Sequence, residues 1–155
     1  MTLKLKNPAL LRQAALVGTR WINANGSGIA VTNPATGAVL GHVPDLGTAE
    51  TQEAIEAARH AQAAWAKRTA KERSNILRRW FDLMMDNQAD LAAILTAEQG
   101  KPLAEGKGEV YRAGQFFTYY AAETLRQTGD TADSVRDGIE IDVRREAVGV
   151  VAIIS

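Results

Sequence analysis

The sequence predicts an α/β fold, and three observations carry the prediction. Residues 14–44 hold short β-favouring runs separated by turn residues, and the chain then follows the 3.6-residue period of helices to about Gln127. It closes on VGVVAII, an apolar run that does not alternate with polar residues. Such a run is typical of a strand in a parallel sheet covered by helices on both faces. Helices followed by such a strand indicate the first, incomplete part of an α/β sheet.

Composition narrows the class of protein. Of the 155 residues, 46% are apolar and 23% are charged, as in soluble globular domains. The 18 basic residues balance 18 acidic ones, which argues against nucleic acid or an anionic membrane as a partner. The sequence has no cysteine, which excludes disulfides, thiolate metal sites and a cysteine nucleophile within these residues. Arg12 and Gln13 break the apolar runs of the N-terminus, which therefore lacks the core of a signal peptide, and no segment approaches the roughly 20 apolar residues of a membrane span, so we expect a cytoplasmic protein.

The N-terminal part is predicted to form small hairpins. ALVGTRWI and IAVTN are β-favouring runs separated by NANGSG. Asn33 to Gly37 form the segment NPATG, a turn that proline begins and glycine closes, before the next run, AVLGHV. We expect these strands to lie near the surface and to contribute no catalytic residue.

Two helices are predicted next. Thr48 can cap the first, and Thr69 with Glu72 forms a capping box at the start of the second. The apolar positions of the first helix are Ile55, Ala58, Ala61 or Gln62, and Trp65. The predicted buried stripe of the second helix is Ile76, Leu77, Trp80, Leu83 and Met84.

Two further helices follow. Asn87 is predicted to end the second helix before a third, which Gly100 closes in a left-handed conformation. Pro102 suits the first turn of a fourth helix, which should run to about Gln127. Each glycine of this helix costs about 1 kcal/mol relative to alanine. We therefore expect close packing of other elements at its three glycines, Gly106, Gly108 and Gly114.

The last segment contains two unlike strands. Ile139 to Val143 alternate apolar and charged residues, which predicts an antiparallel strand with one solvated face. The run VGVVAII predicts a strand that is buried on both faces. Burying its valines and isoleucines would contribute roughly 7 to 15 kcal/mol, comparable with the stability of a whole domain. We therefore expect neighbouring strands beside it.

Two glycine-rich motifs suggest a phosphate-binding loop. They are Gly106-Lys107-Gly108 and Gly26-Ser27-Gly28. Neither follows a buried strand or completes a nucleotide-binding motif, so we interpret both as structural. Lys101, in the segment EQGKP, is explained by a helix end at Gly100, a helix start at Pro102 and a solvated lysine between them.

The remaining candidates are histidines and aromatic residues. His42 and His60 each lack the convergent donors that a metal site needs, so surface or packing roles are favoured. An aromatic cluster covers nearly all sides of the fourth helix, which allows either core packing, the favoured reading, or the wall of a ligand tunnel. From the residues themselves, no catalytic residue and no metal ligand is assigned. The aromatic cluster is Phe116, Phe117, Tyr119 and Tyr120.

The order and spacing of four segments resemble those of NAD(P)-dependent aldehyde dehydrogenases. The segments are NPATGAVLGHVP, AWAKRTAKERSNILRRWFDLM, EQGKPLAEGKGEV and RREAVGVVAIIS, and the resemblance covers essentially the whole chain. Up to about Gly108 the chain is similar to bacterial succinate-semialdehyde dehydrogenases. From YRAGQFF to SVRDGIEIDVRRE it is similar to 2-oxoglutarate-semialdehyde dehydrogenases.

This resemblance implies a fold, an activity and a cofactor. The chain would be the N-terminal portion of an enzyme that oxidises an aldehyde, first of all succinate semialdehyde, to the carboxylic acid with NAD or NADP. In that family an oxyanion-supporting asparagine, a catalytic cysteine and a general-base glutamate all lie beyond the segment matching VGVVAIIS. We therefore expect these 155 residues to be inactive by themselves. Ile154 and Ser155 match positions whose backbone lies beside the cofactor.

The resemblance also implies three parts. Residues 1–130 would be the N-terminal strands and helices of the cofactor-binding domain, residues 131–147 a protruding strand pair, and residues 148–155 the first strand of the dinucleotide-binding sheet. In the family such a strand pair joins a neighbouring subunit, so a homo-oligomer is expected. Asp133, Asp137 and Ala147 stand where close relatives usually carry proline, which loosens the expected hairpin.

Two other functions fit the sequence. One is a non-catalytic interaction or oligomerisation module derived from an aldehyde dehydrogenase, acting by strand addition. The other is a small-ligand binding domain that uses the aromatic helix.

Overall fold

The computed structural model describes residues 3–24 and 28–154. Within them the chain forms four helices and three two-stranded antiparallel sheets. A short 3₁₀ turn at Pro8–Leu10 precedes the first strand. The strands are β1 (Ala14–Val17), β2 (Arg20–Asn23), β3 (Ile29–Thr32), β4 (Val39–Val43), β5 (Asp130–Asp133) and β6 (Glu140–Val143). The helices are α1 (Thr48–Ala66), α2 (Ala70–Asp86), α3 (Gln88–Gln99) and α4 (Leu103–Leu125).

The starts of α1 and α2 follow from their capping residues. Gly47, and not Thr48, is the N-cap of α1, and its N–H donates to a carboxylate oxygen of Glu50 at 3.0 Å. The capping box of α2 forms as predicted. Thr69 Oγ1 accepts from the N–H of Glu72 at 3.3 Å, and Glu72 Oε2 accepts from the N–H of Thr69 at 2.8 Å.

The predicted boundaries of α3 and α4 hold to within two residues. Asn87 lies between α2 and α3, and Gly100 ends α3 with a φ of 75°. Pro102 is the N-cap of α4 and so stands just before its first turn. The helix ends at Leu125, before the predicted end, because the next backbone N–H already bonds to the carbonyl of Glu123 in a tighter turn.

Helices α2, α3 and α4 pack into a bundle. Gly106 faces α3, where an added Cβ would lie 3.1 Å from the carbonyl oxygen of Ala92. Gly114 faces α2, where an added Cβ would lie 3.0 Å from Met85 Cε. Beyond its chain neighbours and the backbone of its own helix, no atom lies within 4 Å of the same position at Gly108, so the expectation of close packing is wrong for that glycine. The buried residues of the bundle include Ser74, Asp90, Ala92, Ala97, Gly106, Val110, Gly114 and Ala121.

The predicted apolar stripes of α1 and α2 are only partly covered. Ile55 of α1 is 50% exposed, because that helix lies mainly against the first hairpin, with Gly18 beside Ala57. In α2 the side chains of Phe81 and Met85 face α4 at Gly114. Three residues of the predicted stripe remain exposed, which corrects the prediction of a buried stripe. These residues are Ile76, Trp80 and Leu83.

The N-terminal strands form two hairpins, and the run ALVGTRWI, predicted as a single β-favouring run, is divided by a turn at Gly18 and Thr19. Strand β1 pairs with β2, and β3 pairs with β4. In the NPATG turn the N–H of Gly37 donates to the carbonyl of Asn33 at 2.8 Å, and Gly37 has the positive φ that such a turn needs. The side-chain oxygen of Gln13 accepts from the backbone N–H of His42 at 3.0 Å and so joins the chain before β1 to β4. Residues 25–27 of NANGSG lie outside the described residues.

The strand predicted at Ile139 to Val143 forms as β6 and pairs with β5, with Ile141 opposite Ala132. The expectation of one covered face is wrong, because every residue of both strands is exposed. This hairpin therefore stands free of the helices.

The closing apolar run does not form the expected strand within the described residues. Residues 144–154 have no strand partner there, and Val148 is 92% exposed. A strand is defined by hydrogen bonds to a neighbour, and none of the described strands lies beside this run. Gly149 also has a φ of 102°, outside the extended region.

Candidate functional site

Of the two residues predicted to lie beside a cofactor, the structure describes one. Ile154 is fully exposed, and Ser155 lies outside the described residues. A dinucleotide site needs parallel strands whose carboxyl ends meet the N-terminus of a helix. The described residues contain only antiparallel pairs, so they do not by themselves fit NAD or NADP.

A groove of about 700 Å³ lies between residues 145–151 and the ends of α1, α2 and α4. Two of the charged side chains in its described lining have partners: Arg73 donates to the carbonyl of Arg68 at 2.7 Å, and Arg145 lies 3.8 Å from the carboxylate of Asp130, whereas Glu146 forms no hydrogen bond or salt bridge with the described residues. Its described lining contains no histidine and no cysteine. The groove therefore offers apolar surface and charged side chains, but no nucleophile with a base.

The turns NPATG and EQGKP come together. An added Cβ at Gly100 would lie 2.9 Å from Cγ of Pro34, and the positive φ of Gly100 also favours glycine. The ammonium group of Lys101 forms an ion pair with Glu109, and the lysine side chain is only 22% exposed. The expectation of a solvated Lys101 is therefore wrong, because Glu109 lies two turns into α4, within reach of the long lysine side chain.

The Gly106-Lys107-Gly108 motif is part of α4, as its structural interpretation requires. Its backbone N–H groups lie inside the helix, and the carbonyl of Lys107 accepts from Gln88 Nε2 at 3.2 Å. The motif therefore joins α4 to the start of α3. The other glycine motif includes residues 26 and 27, which lie outside the described residues.

The two histidines lie on different elements. His42 is in β4, and His60 is exposed on α1 beside Glu56 and Arg59. Across residues 3–24 and 28–154, no group of three or more side chains is placed to hold a metal ion.

The aromatic cluster of α4 divides into one packed ring and three exposed rings. Phe117 stacks on Trp80, with ring centroids 4.4 Å apart and an angle of 30° between the planes. Tyr119 and Tyr120 meet edge to face at 5.2 Å, and both are 56% exposed, while Phe116 is 58% exposed. Core packing therefore explains Phe117, and the other three rings face outward.

Two carboxylates have lowered pKa values. The backbone N–H of Thr69, and then its hydroxyl, lower the pKa of Glu72. The backbone N–H groups of Asn7 and then Lys6 lower the pKa of Asp90. Asp90 is not among the residues predicted from the sequence, because the helix dipole alone accounts for an acidic residue in the first turn of α3.

None of the helices in the part of the chain that the structure describes is both long and apolar enough to cross a membrane.

Comparison with known sequences gives a consistent result. The aldehyde dehydrogenase family model matches residues 21–155. Over 154 residues the chain is 51% identical to glutarate-semialdehyde dehydrogenase of Pseudomonas putida and 48% identical to the NADP(+) succinate-semialdehyde dehydrogenase of Escherichia coli. Each alignment covers 99% of this chain and 32% of the relative. The chain therefore spans about a third of the length of the curated relatives it matches.

Solved structures agree with this. An aldehyde dehydrogenase from Brucella melitensis biovar abortus 2308 matches with a TM-score of 0.84 and 51% identity, over 88% of this chain and 29% of that one. A succinate-semialdehyde dehydrogenase from Burkholderia pseudomallei matches with a TM-score of 0.84 and 50% identity, over 89% and 29%. The predicted fold, an incomplete α/β portion of this family's structure, is confirmed.

Proposed function

Because this chain belongs to the aldehyde dehydrogenase family, we propose that it supplies the amino-terminal part of an enzyme that oxidises a semialdehyde with NAD or NADP. The observation that carries the proposal is the identity of 51% and 48%, over nearly the whole chain, to two semialdehyde dehydrogenases. Succinate semialdehyde is the proposed substrate, and glutarate semialdehyde is the nearest competitor. The two aldehydes differ in the length of the chain that joins the aldehyde to the acid group.

The reactive groups of this enzyme are proposed to lie outside these residues. The family resemblance implies attack by a cysteine thiolate on the aldehyde carbon and release of the acid by a glutamate-activated water. These 155 residues contain no cysteine. We therefore propose that they have no dehydrogenase activity by themselves, and that the reactive groups belong to the two thirds of the relatives that this chain does not match.

The proposed role of residues 148–155 is to form the first strand of the dinucleotide-binding sheet, with the backbone of Ile154 and Ser155 beside the cofactor. What supports this role is an apolar run that remains exposed, from Val148 at 92% to Ile154 at 100%. Exposed aliphatic side chains in this number are stabilised when strands and helices cover them. The helical bundle, residues 70–125, would then support one side of the sheet.

The proposed role of residues 131–147 is assembly of a homo-oligomer. The β5–β6 hairpin leaves the apolar side chains of Ile141 and Val143 almost half exposed. Its strands pair only with each other in the described chain, so their outer edges are open for strand addition.

A chimera tests the proposed function. These 155 residues would replace the matching third of the Pseudomonas putida relative, and formation of NADH or NADPH would be followed with succinate and glutarate semialdehydes. We expect activity from the chimera, with a ratio of kcat/KM for succinate over glutarate semialdehyde higher than that of the parent relative, and none from the 155-residue chain. The relative lacking its matching third is the control.

Three outcomes of this assay would contradict the proposal. Turnover by the 155-residue chain would sink the claim that its reactive groups lie elsewhere. A folded chimera without activity on either aldehyde would sink the proposed part in the enzyme. A ratio of kcat/KM for succinate over glutarate semialdehyde that is no higher than that of the parent relative would overturn the choice of substrate.

The alternative function is a non-catalytic assembly module, and the free-standing hairpin favours it. Light scattering of the 155-residue chain should then give a defined oligomer, and Ile141→Lys should convert it to a monomer. Val135→Lys is the matched control, because Val135 is fully exposed at the tip of the same hairpin. A monomeric wild-type chain would rule out the module.

A further inference from the structure

Residues 3–11, called here the N-terminal strap, are attached to the start of α3 by one carboxylate. Asp90 Oδ1 accepts from the backbone N–H of Lys6 at 3.0 Å, and Asp90 Oδ2 accepts from the backbone N–H of Asn7 at 2.7 Å. Each carboxylate oxygen therefore holds one amide of the strap. The partners are 84 and 83 residues apart in the chain, so the contact is a tertiary one.

Asp90 is buried, and its carboxylate is ionised, which favours both hydrogen bonds. It is 7% exposed, although it belongs to the first turn of a helix. The amides of Asn7 and Lys6 favour the ionised form and lower its pKa, so the carboxylate can accept two hydrogen bonds at neutral pH. Lys6 is the charged side chain that faces Asp90 from the strap, and among the described residues no side chain forms a salt bridge with it.

The strap leads directly into the two N-terminal hairpins. Gln13, two residues after the strap, accepts from the backbone N–H of His42 in β4, and β1 begins at the next residue. Among hydrogen bonds of the described residues, the two to Asp90 are those that join residues 3–13 to a helix. Holding the strap therefore also holds the chain that links both hairpins.

We propose that Asp90 is a clasp: its carboxylate fixes the N-terminal strap on α3, and opening the clasp frees the strap and the Gln13 link while the α2–α4 bundle stays folded. The clasp is a conformational device of this fold, independent of the proposed dehydrogenase activity.

Amide hydrogen exchange of the 155-residue chain, measured residue by residue at one neutral pH, tests the clasp. Asp90→Ala should accelerate exchange at Lys6 and Asn7 about tenfold or more, the factor expected for the loss of a hydrogen bond to a charged acceptor. Asp90→Asn should have a smaller effect, because a carboxamide has one accepting oxygen in place of two. Exchange at His42 should also rise in Asp90→Ala, since the strap no longer positions Gln13.

The experiment has two controls, one amide in the bundle and one control variant. The amide of Val110 in α4 should keep its protection in both variants, because it belongs to the bundle. Asp82→Asn, which removes an exposed carboxylate from α2, should change none of these rates. Unchanged exchange at Lys6 and Asn7 in Asp90→Ala would overturn the proposal. Equal acceleration at Val110 would overturn it too, because Asp90 would then hold the whole bundle together and not the strap.

Discussion

The helical bundle and residues 130–154 contain similar apolar residues in opposite surroundings. In the bundle Val110 is 7% exposed and Ala121 is fully buried. Near the chain end Val148 is 92% exposed and Ile154 is 100% exposed. A valine therefore contributes to stability in one region and little in the other. An apolar pattern therefore identifies which face of a helix or strand is stabilised by burial. The element that packs against that face is determined by residues distant in sequence.

Helix α4 contains both a closely packed glycine, Gly106, and one without close neighbours from other elements, Gly108. Of the substitutions considered, Gly106→Val should have the largest effect on stability. The new side chain would meet the carbonyl of Ala92 and the hydroxyl of Thr96, so we expect a loss of about 2 to 3 kcal/mol in the free energy of unfolding. Gly108→Val is the matched control. It should change stability by less than about 0.5 kcal/mol, because the added Cβ would meet no atom within 4 Å beyond its chain neighbours and the backbone of α4. Equal losses in urea unfolding would contradict this account of the bundle.

Truncating a valine in each region should give the next largest difference. Val110→Ala removes two buried methyl groups and should cost about 2 kcal/mol. Val148→Ala removes the same atoms from an exposed side chain and should cost less than about 0.5 kcal/mol. Unfolding midpoints of the two variants provide the measurement. A comparable loss at Val148 would mean that residues 144–154 are packed in solution.

The smallest expected effect is the pH dependence of the α2 capping box. The folded state lowers the pKa of Glu72 below its ordinary value of 4.5, so the stabilisation is present above that pH and is lost as the pH falls through the folded value. The difference in melting temperature between wild type and Glu72→Gln should therefore shrink on acidification from pH 4.5 downward. Thr69→Ala should remove only part of that difference, because the backbone N–H of residue 69 still donates to Glu72. If the difference in melting temperature instead grows on acidification, the folded state does not lower the pKa of Glu72.

Local features of the fold could be predicted because the residues that determine them are adjacent in sequence. The capping box of Thr69 and Glu72, the left-handed Gly100 and the turn closed by Gly37 each depend on a few neighbouring residues. The helix boundaries follow from these features together with the helical period. The alternating pattern likewise identified β6, whereas the existence of a partner strand was implied only by the family resemblance.

Other features depend on distant residues and could not be read from local pattern. The exposure of Ile55 in α1 depends on which element lies over it. The pairing of Lys101 with Glu109 depends on how the turn enters α4. The contact of Asp90 with the strap spans more than 80 residues, and an aspartate in the first turn of a helix gives no sign of such a partner.

The candidate cofactor-binding residues could be predicted only from the family resemblance. The absence of cysteine from the sequence already placed a thiolate nucleophile outside these residues. No periodicity or spacing pointed to Ile154 and Ser155, and their proposed role rests on the resemblance. A dinucleotide-binding site at these two positions would require parallel strands, and the described residues form only antiparallel pairs.

The comparison of the two regions is tested most directly by amide hydrogen exchange of residues 148–154, measured in the 155-residue chain and in the chimera that carries the rest of the Pseudomonas putida relative. We predict exchange near the unprotected rate in the chain, where these residues have no strand partner, and strong protection in the chimera, where they form the first strand of the dinucleotide-binding sheet. The amides of α4 should be protected in both. Residues 148–154 that stay unprotected in a folded chimera would contradict the account.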